Sequence, residues 1–474
     1  MSNKRTIGRY RKLFSDTAAF IISNFASKVL VFLLIPLYTS VLTTEEYGIA
    51  DLITNTINVL YPILTLSIME ATLRFTFDTD ICKEDVLVNS LFVITLSEIA
   101  VLLFTPFIKY IGGNIQEYWI WFVIIFGGSN LQQVLSQYTK GIGKTKIFAI
   151  SGVVQTIVII IFNIVGLLVF KLGLFAYFLA IASGYYFNCL YLILAAPIRV
   201  RKGKINIALL KEMLRFSIPT IPTIIAWWIN TSADKYVIIG YLGIAASGLY
   251  SVAYKIPSIL TMFTNIFTSA WTLSAIQSVE DKDSDKFQSN IFKYFNAINV
   301  LACSALILLS KVLAKVLFAK EFYEAWQYVP LLLVAYVFSG LAGFLASSFR
   351  AAKYTKGLFS STVIGALINI ILNFFIVKKY GIMGAAFTTV IGFAVTFYIR
   401  SYSVKKIIDI KINLKKDTCI YLLLILQAFI MAFDIRSSYV FGIISFLIIF
   451  FVYKKMFMNL ISKIMTIIKN ILNK

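Results

Sequence analysis

Apolar residues run along this chain in long stretches, most of 18 or more, separated by short polar segments rich in Lys and Arg. As a helix, each stretch is long enough to cross about 30 Å of hydrocarbon. None shows the short polar–apolar alternation of a membrane β-strand. The pattern predicts an all-α polytopic membrane protein with about fourteen transmembrane helices. They are expected at 14–41, 48–77, 86–108, 117–139, 146–170, 173–197, 216–241, 245–275, 291–318, 327–349, 357–377, 382–403, 418–435 and 438–453. The first run is too long for the roughly 7–15-residue core of a signal peptide, so it is expected to remain as a helix. Two segments have helical amphipathicity with basic ends and predict interfacial helices. They are "GKINIALLKEMLRF" and the tail "YKKMFMNLISKIMTIIKNILNK".

The pattern also repeats. Ser129–Asn163 lies over Ser339–Asn373 at an offset of 210, with Ser129/Ser339, Thr145/Thr355, Lys146/Lys356, Ser151/Ser361 and Asn163/Asn373 identical. After a two-residue slip, Lys171, Gly173 and Gly184 fall on Lys379, Gly381 and Gly392. The expected organisation is an N-terminal six-helix lobe at 1–200 and a second six-helix lobe at 201–410 with its preceding interfacial helix. Two extra helices at 411–455 and a basic amphipathic tail at 456–474 follow. Paired repeats are a transporter architecture, with substrate sites near the membrane midplane.

Composition sharpens this. Hydrophobic residues make up 59% of the 474 and charged residues 14%, with a formal net charge of +22; the mean hydropathy is +0.85. So basic a chain could bind nucleic acid, but the charge distribution assigns it to loops instead, and no nucleic-acid partner is expected. With the N-terminus inside, 33 of the 44 Lys and Arg fall on the cytoplasmic side and 8 outside. That asymmetry predicts cytoplasmic N- and C-termini. Histidine is absent, which removes His catalysis and His metal sites and leaves carboxylates for any proton coupling. The four cysteines have no metal-like spacing and are expected to be reduced. No metal or cofactor is expected. "KGIGKTK" imitates a phosphate-binding loop, but its first glycine position would fall on Tyr138, and no strand precedes it. "NTS" at 230–232 is a glycosylation sequon by pattern only, inside a span.

A charge deep in a span costs about 2.5–3.5 kcal/mol and usually faces a cavity or a partner. Lys28, Glu98 and Lys255 are expected near mid-depth, and Asp234 and Lys235 in the outer part of span 7. Lys28, Lys235, Lys255 and Arg74 are candidates for a cationic substrate cavity. Asp234, Glu98 and Glu70 are candidates for proton coupling or charge balance. Glu70 and Arg74, four apart, also read as a structural ion pair. Asn55, Asn230, Tyr250 and Tyr254 are candidate polar lining. Pro219, Pro222 and Pro257 are positioned to break helix regularity where a transporter bends.

"NFASKVLVFLLIPLYTSVLTTEEYGIADL", "IMEATLRF" and "SADKYVIIGYLGIAASGLYSVAYKIPSI" resemble the polysaccharide-transporter (Wzx-type) flippases. These belong to the multidrug/oligosaccharidyl-lipid/polysaccharide (MOP) exporter superfamily. "YGIMGAAFTTVIG" resembles the same family's twelfth span, and the likeness covers roughly 10–410. It implies a MATE-like fold of two six-helix bundles and a bacterial plasma (inner) membrane. It implies translocation of undecaprenyl-diphosphate-linked oligosaccharide for capsule or O-antigen biosynthesis, with no enzymatic activity. Membrane lipids, a polysaccharide polymerase and a chain-length regulator are the implied partners. A lysine-lined cavity suits an anionic diphosphate. A multidrug cation exporter, expected to have a net acidic cavity, and a lipid II flippase are the alternatives. A membrane glycosyltransferase or polymerase would usually need a large extramembrane loop, and no inter-span loop is long enough to be a domain.

Overall fold

The computed structural model describes residues 30, 32–78, 80–104, 116–198, 200–277, 284–351, 354–405 and 410–472. Among these, the ordered elements are all helical. The chain divides into two compact units, Met1–Trp228 and Ile229–Lys474.

The first unit contains α1 (Ile35–Val41), α2 (Thr44–Leu64), α3 (Ile68–Thr76), α4 (Lys83–Leu103), α5 (Trp119–Gly141), α6 (Thr145–Asn163), α7 (Gly173–Ala195) and α8 (Ile207–Ser217). A π-helical turn, Ile164–Val169, extends α6. A capping box opens α2: Glu46 N–H donates to Thr43 Oγ1 at 3.1 Å, and Thr43 N–H donates to Glu46 Oε2 at 2.8 Å. The continuous helix expected over 48–77 is broken. α2 and α3 are bent by 62°, with Leu66 and Ser67 both at φ 51. Those angles strain any residue with a side chain. At the break Thr65 Oγ1 donates to Tyr61 O at 2.6 Å, alongside its own N–H, and Ser217 Oγ gives the Leu66 carbonyl a partner at 2.8 Å.

That last bond fixes α8, the segment expected to be interfacial. It is a helix, with Asn206 capping Leu209 N–H. Asn206 also exchanges two hydrogen bonds of 3.1 Å with Asn89 of α4. Leu209 and Met213 join a core containing Ile68, Met69, Val86 and Leu87, so protein covers the apolar face of α8.

α9 (Ile221–Leu242) carries the chain from the first unit into the second. There follow α10 (Ile244–Ala253), α11 (Lys255–Gln277), α12 (Ser284–Leu317), α13 (Val329–Ala351), α14 (Thr355–Val404), α15 (Leu414–Ala432) and α16 (Ser438–Leu472). Six helices among the described residues are long and apolar enough to span a membrane, or seven counting the bent α2–α3 pair. α13 is the most buried of them, with 78% of its apolar window inside the protein. The window of α6 is 22% buried, and Ile150, Ile157, Ile161 and Leu168 are exposed as a lipid-facing side requires.

α14 is two helices joined at Gly381 (φ 62). Its halves run antiparallel: Thr388 Oγ1 donates to Asn373 Oδ1 at 2.9 Å, and Gly392 lies against Asn369 and Gly365. The repeat is visible here. α5 and α13 have bounds 210 apart, as do the starts of α6 and α14. Gly184 packs on Ile159 in the first unit as Gly392 packs on Asn369 in the second, and Gly173 (φ 54) answers Gly381. A Cβ at Gly392 would lie 2.8 Å from the Asn369 Cβ, whereas one at Gly343 meets nothing within 4 Å. Gly392→Leu is therefore expected to cost about 1–3 kcal/mol or more from overpacking. Gly343→Ala should be neutral or stabilising by up to about 1 kcal/mol. Thermal melting of the two purified variants in detergent checks this; equal melting temperatures would refute the hairpin packing.

α15 and α16 are held to the bundle at the end opposite the basic loops. Lys311 of α12 pairs with Asp434, and its ammonium lies 4.3 Å from the Trp326 ring centre and 5.8 Å from that of Tyr439. The tail expected as a separate interfacial helix is instead continuous with the last span, in one helix of 35 residues.

Candidate functional site

Asp234 is 2% exposed on α9. The turn at Gly243 (φ 88) returns the chain so that α10 lies beside α9. Tyr250 and Tyr254 then face Asp234, and both hydroxyls donate to Asp234 Oδ2, at 2.7 and 2.9 Å. Thr389 of α14 donates to the same oxygen at 3.1 Å. Three neutral hydroxyls thus converge on one carboxylate oxygen, as a buried charge requires. The two tyrosine rings stack edge to face with centroids 4.9 Å apart. Lys235 is also buried, its ammonium 5.5 Å from the centre of the Tyr254 ring. Lys255 is half-buried and begins α11 immediately after the break at Tyr254, where Pro257 follows.

One turn before Asp234, Asn230 Nδ2 donates to Thr362 O at 2.9 Å. Thr362 is shared with Arg400, which stands near the end of the span expected at 382–403 and was not among the candidate charges. Arg400 is 2% exposed. It donates to Ala342 O at 2.7 Å, Thr362 Oγ1 at 2.8 Å and Ser361 Oγ at 3.0 Å. Its hydrogen-bond partners are all neutral oxygens, with no carboxylate among them. A polar seam therefore runs through the second unit, from Arg400 through Thr362 to Asn230, and from there along α9 to Asp234. Thr389 and Arg400 have no counterpart among the sequence candidates. A Thr in an apolar helix carries no signal, and Arg400 stands at the end of its apolar run.

Among the described residues, no hydrogen bond or ion pair joins the first-unit candidates Asn55, Glu70, Arg74 and Glu98 to one another. Arg74 pairs with Asp78 at 2.6 Å, not with Glu70, which corrects the expected ion pair. Glu70 lies near Lys140 of α5. Both Glu70 and Arg74 are exposed. Asp78 follows the end of α3, one turn beyond Arg74. Glu98 packs on Gly127 of α5, where a Cβ would stand 3.0 Å from the carboxyl carbon, and its Oε2 has no hydrogen-bond partner. Asn55 donates to Asp51 O and Oδ2, both at 2.8 Å, and its carbonyl accepts from Trp228 Nε1 at 3.2 Å. Lys28 lies outside the described residues. Cys82, Cys189, Cys303 and Cys419 are free thiols.

Residues 13–272 match the family described as "Polysaccharide biosynthesis protein". The chain belongs to that family. The matched segment is more than half of the chain and holds Asp234, Lys235, Tyr250, Tyr254 and Lys255, while Thr389 and Arg400 lie beyond it. This polysaccharide biosynthesis protein is 23% identical over 423 residues to an uncharacterised membrane protein of Methanocaldococcus jannaschii, covering 83% of this chain and 98% of that one. It is 22% identical over 167 residues to the "Probable low-salt glycan biosynthesis flippase Agl15" of Haloferax volcanii, covering 35% of each. Its fold is that of the lipid II flippase MurJ in an inward closed conformation (TM-score 0.72, 18% identity, 92% of this chain and 99% of that one). An inward-facing MATE multidrug transporter of the MOP superfamily shares it too (TM-score 0.68, 15% identity, 80% and 95%). The fold is one that solved multi-pass membrane transporters share.

Proposed function

We propose that this protein is a flippase that carries undecaprenyl-diphosphate-linked oligosaccharide repeat units across a bacterial plasma membrane for capsule or O-antigen biosynthesis, by alternating access. The family match over 13–272 carries the reading. The names of two relatives, a glycan biosynthesis flippase and a lipid II flippase, support it. So does the charge of the second unit's seam. Among the described residues of the seam, Lys235 and Arg400 are buried and Lys255 half-buried, beside the carboxylate of Asp234. A net cationic interior attracts a diphosphate and repels the organic cations that a multidrug exporter takes. Lys28, Lys235, Lys255 and Arg74 would meet the anionic head; Asn55, Asn230, Tyr250 and Tyr254 would meet sugar hydroxyls. Asp234 would balance Lys235 or carry a coupling proton. Glu98, whose Oε2 lacks a hydrogen-bond partner, and Glu70 are the other acids in reach of that role. Both termini would lie in the cytoplasm, with a polymerase and a chain-length regulator acting on the delivered repeat unit.

The test is translocation of lipid-linked oligosaccharide in proteoliposomes, scored with an impermeant probe of each leaflet. Wild type should flip the lipid, and Lys255→Ala and Lys28→Ala should each be slowed at least tenfold while remaining folded. A wild type that moves no lipid-linked sugar and expels organic cations would replace this reading with the drug-exporter one.

A further inference from the structure

At the end of the second unit where the basic loops lie, α12, α15 and α16 come together around a cavity of about 410 Å³. We infer that this cavity is a binding site for the phosphate of an anionic phospholipid headgroup, apart from the Asp234–Arg400 seam.

The lining has two characters. Lys293 of α12 and Lys416 in the first turn of α15 stand exposed at the mouth. Asn296, Asp417 and Tyr453 form a polar wall. Phe292, Ile412, Val452 and Met456 supply the apolar part of the lining. A cationic mouth against an apolar wall suits a molecule that is charged at one end and hydrocarbon at the other. A soluble phosphate would have no use for the apolar side.

The polar wall pre-arranges the lysines. Tyr421 donates to Asn296 Oδ1 at 2.9 Å; Asn296 Nδ2 and Asp417 each meet the Tyr453 hydroxyl at 3.3 Å. Asp417 is held in this network at 8% exposure, and both Lys416 and Lys293 are close enough to be attracted by it. The Lys416 ammonium lies 5.2 Å from the centre of the Tyr453 ring. Two lysines against one tethered acid leave a net positive mouth. The 3.3 Å bonds of the Tyr453 hydroxyl are long, so it can turn to donate to a phosphate oxygen.

The position fits a lipid as well. The cavity lies where the apolar run of α12 begins and that of α16 ends, at the level of a headgroup. Lys411, Lys415 and Lys454 are exposed nearby and add to the attraction for an anionic leaflet.

The test is native mass spectrometry of the full chain in detergent. It would be titrated with dioleoyl phosphatidylglycerol, dioleoyl phosphatidylcholine, glycerol 3-phosphate and undecaprenyl phosphate. Wild type should hold phosphatidylglycerol at least tenfold more tightly than phosphatidylcholine, with no glycerol 3-phosphate bound at millimolar concentration. The preference should fall about tenfold in Lys293→Gln/Lys416→Gln and in Met456→Trp, which fills the cavity and keeps both charges. It should persist in Lys378→Gln/Lys379→Gln, at the opposite end. If the lysine variant does not fold, by gel filtration and melting, Met456→Trp decides. Equal binding of the two phospholipids, or a preference unchanged in the folded variants, overturns the proposal. So does glycerol 3-phosphate binding as tightly as phosphatidylglycerol, which marks a soluble-phosphate site. Undecaprenyl phosphate binding in place of phosphatidylglycerol also overturns it and marks a substrate subsite. The readout involves no transport, so it stands or falls separately from the flippase reading.

Discussion

Asp234→Ala is expected to lower the stability of the second unit by about 2–4 kcal/mol. The carboxylate accepts from three hydroxyls, but they do not suffer equally when it is removed. Thr389 can turn its one proton to Ala385 O at 2.8 Å. Tyr250 and Tyr254 can turn only toward each other, 3.1 Å apart, and toward Thr389. The hydroxyls can then close a neutral chain, Tyr254 to Tyr250 to Thr389, so the loss is that of three charge-assisted bonds replaced by weaker neutral ones and of the packing of the removed carboxylate. Asp234→Asn keeps an oxygen in place and should recover much of the stability, yet it removes the charge beside Lys235. Translocation is therefore expected to fall at least tenfold in a variant that melts close to wild type. Melting in detergent reads the first effect and the proteoliposome assay the second. If Asp234→Ala melts like wild type, the hydroxyl cluster is not a stabilising element. If Asp234→Asn transports normally, the carboxylate has no part in transport.

Arg400→Ala should be as damaging, by about 3 kcal/mol or more, since three charge-assisted hydrogen bonds are lost at one buried site. The partners come from two helices: Ala342 of α13, and Ser361 and Thr362 of the first half of α14. The planar guanidinium reaches all three from the second half of α14, so it fastens that hairpin to α13. Arg400→Lys keeps the charge and loses the fork, and one ammonium cannot satisfy acceptors spread around a plane. The Lys variant is expected to melt nearer to Ala than to wild type. A Lys variant as stable as wild type would show that only the charge matters there.

The helices themselves were legible, because a run of 20 apolar residues has few other solutions in a membrane. So were the gap between the spans expected at 216–241 and 245–275, which the Gly243 turn fills, the break before Pro257 and the repeat, since glycine and proline act through local backbone geometry. The α2–α3 bend was not legible. Leu66 and Ser67 adopt angles that their residue types do not advertise, and the bond that supports the bend comes from Ser217, about 150 residues away. Amphipathicity located α8 but could not say what covers its apolar face, because lipid and Leu side chains are alike to a sequence pattern. Of the candidate site, Asp234, Lys235, Tyr250 and Tyr254 come together as charges and hydroxyls on neighbouring helices would suggest. Arg400 was hidden because a basic residue at the end of a span looks like a loop charge, and a long side chain decides its own depth. Arg74 had an acid within reach one turn away on either side, and spacing alone could not choose between Glu70 and Asp78.

The 35-residue helix α16 is about 52 Å long, against about 30 Å of hydrocarbon. Some 20 Å of it therefore stands beyond the apolar layer as an unbroken extension of the last span. A fluorophore joined rigidly to its final turn would inherit the tilt of that span, and its polarisation in an oriented membrane would report any rocking of the helix while the transporter works.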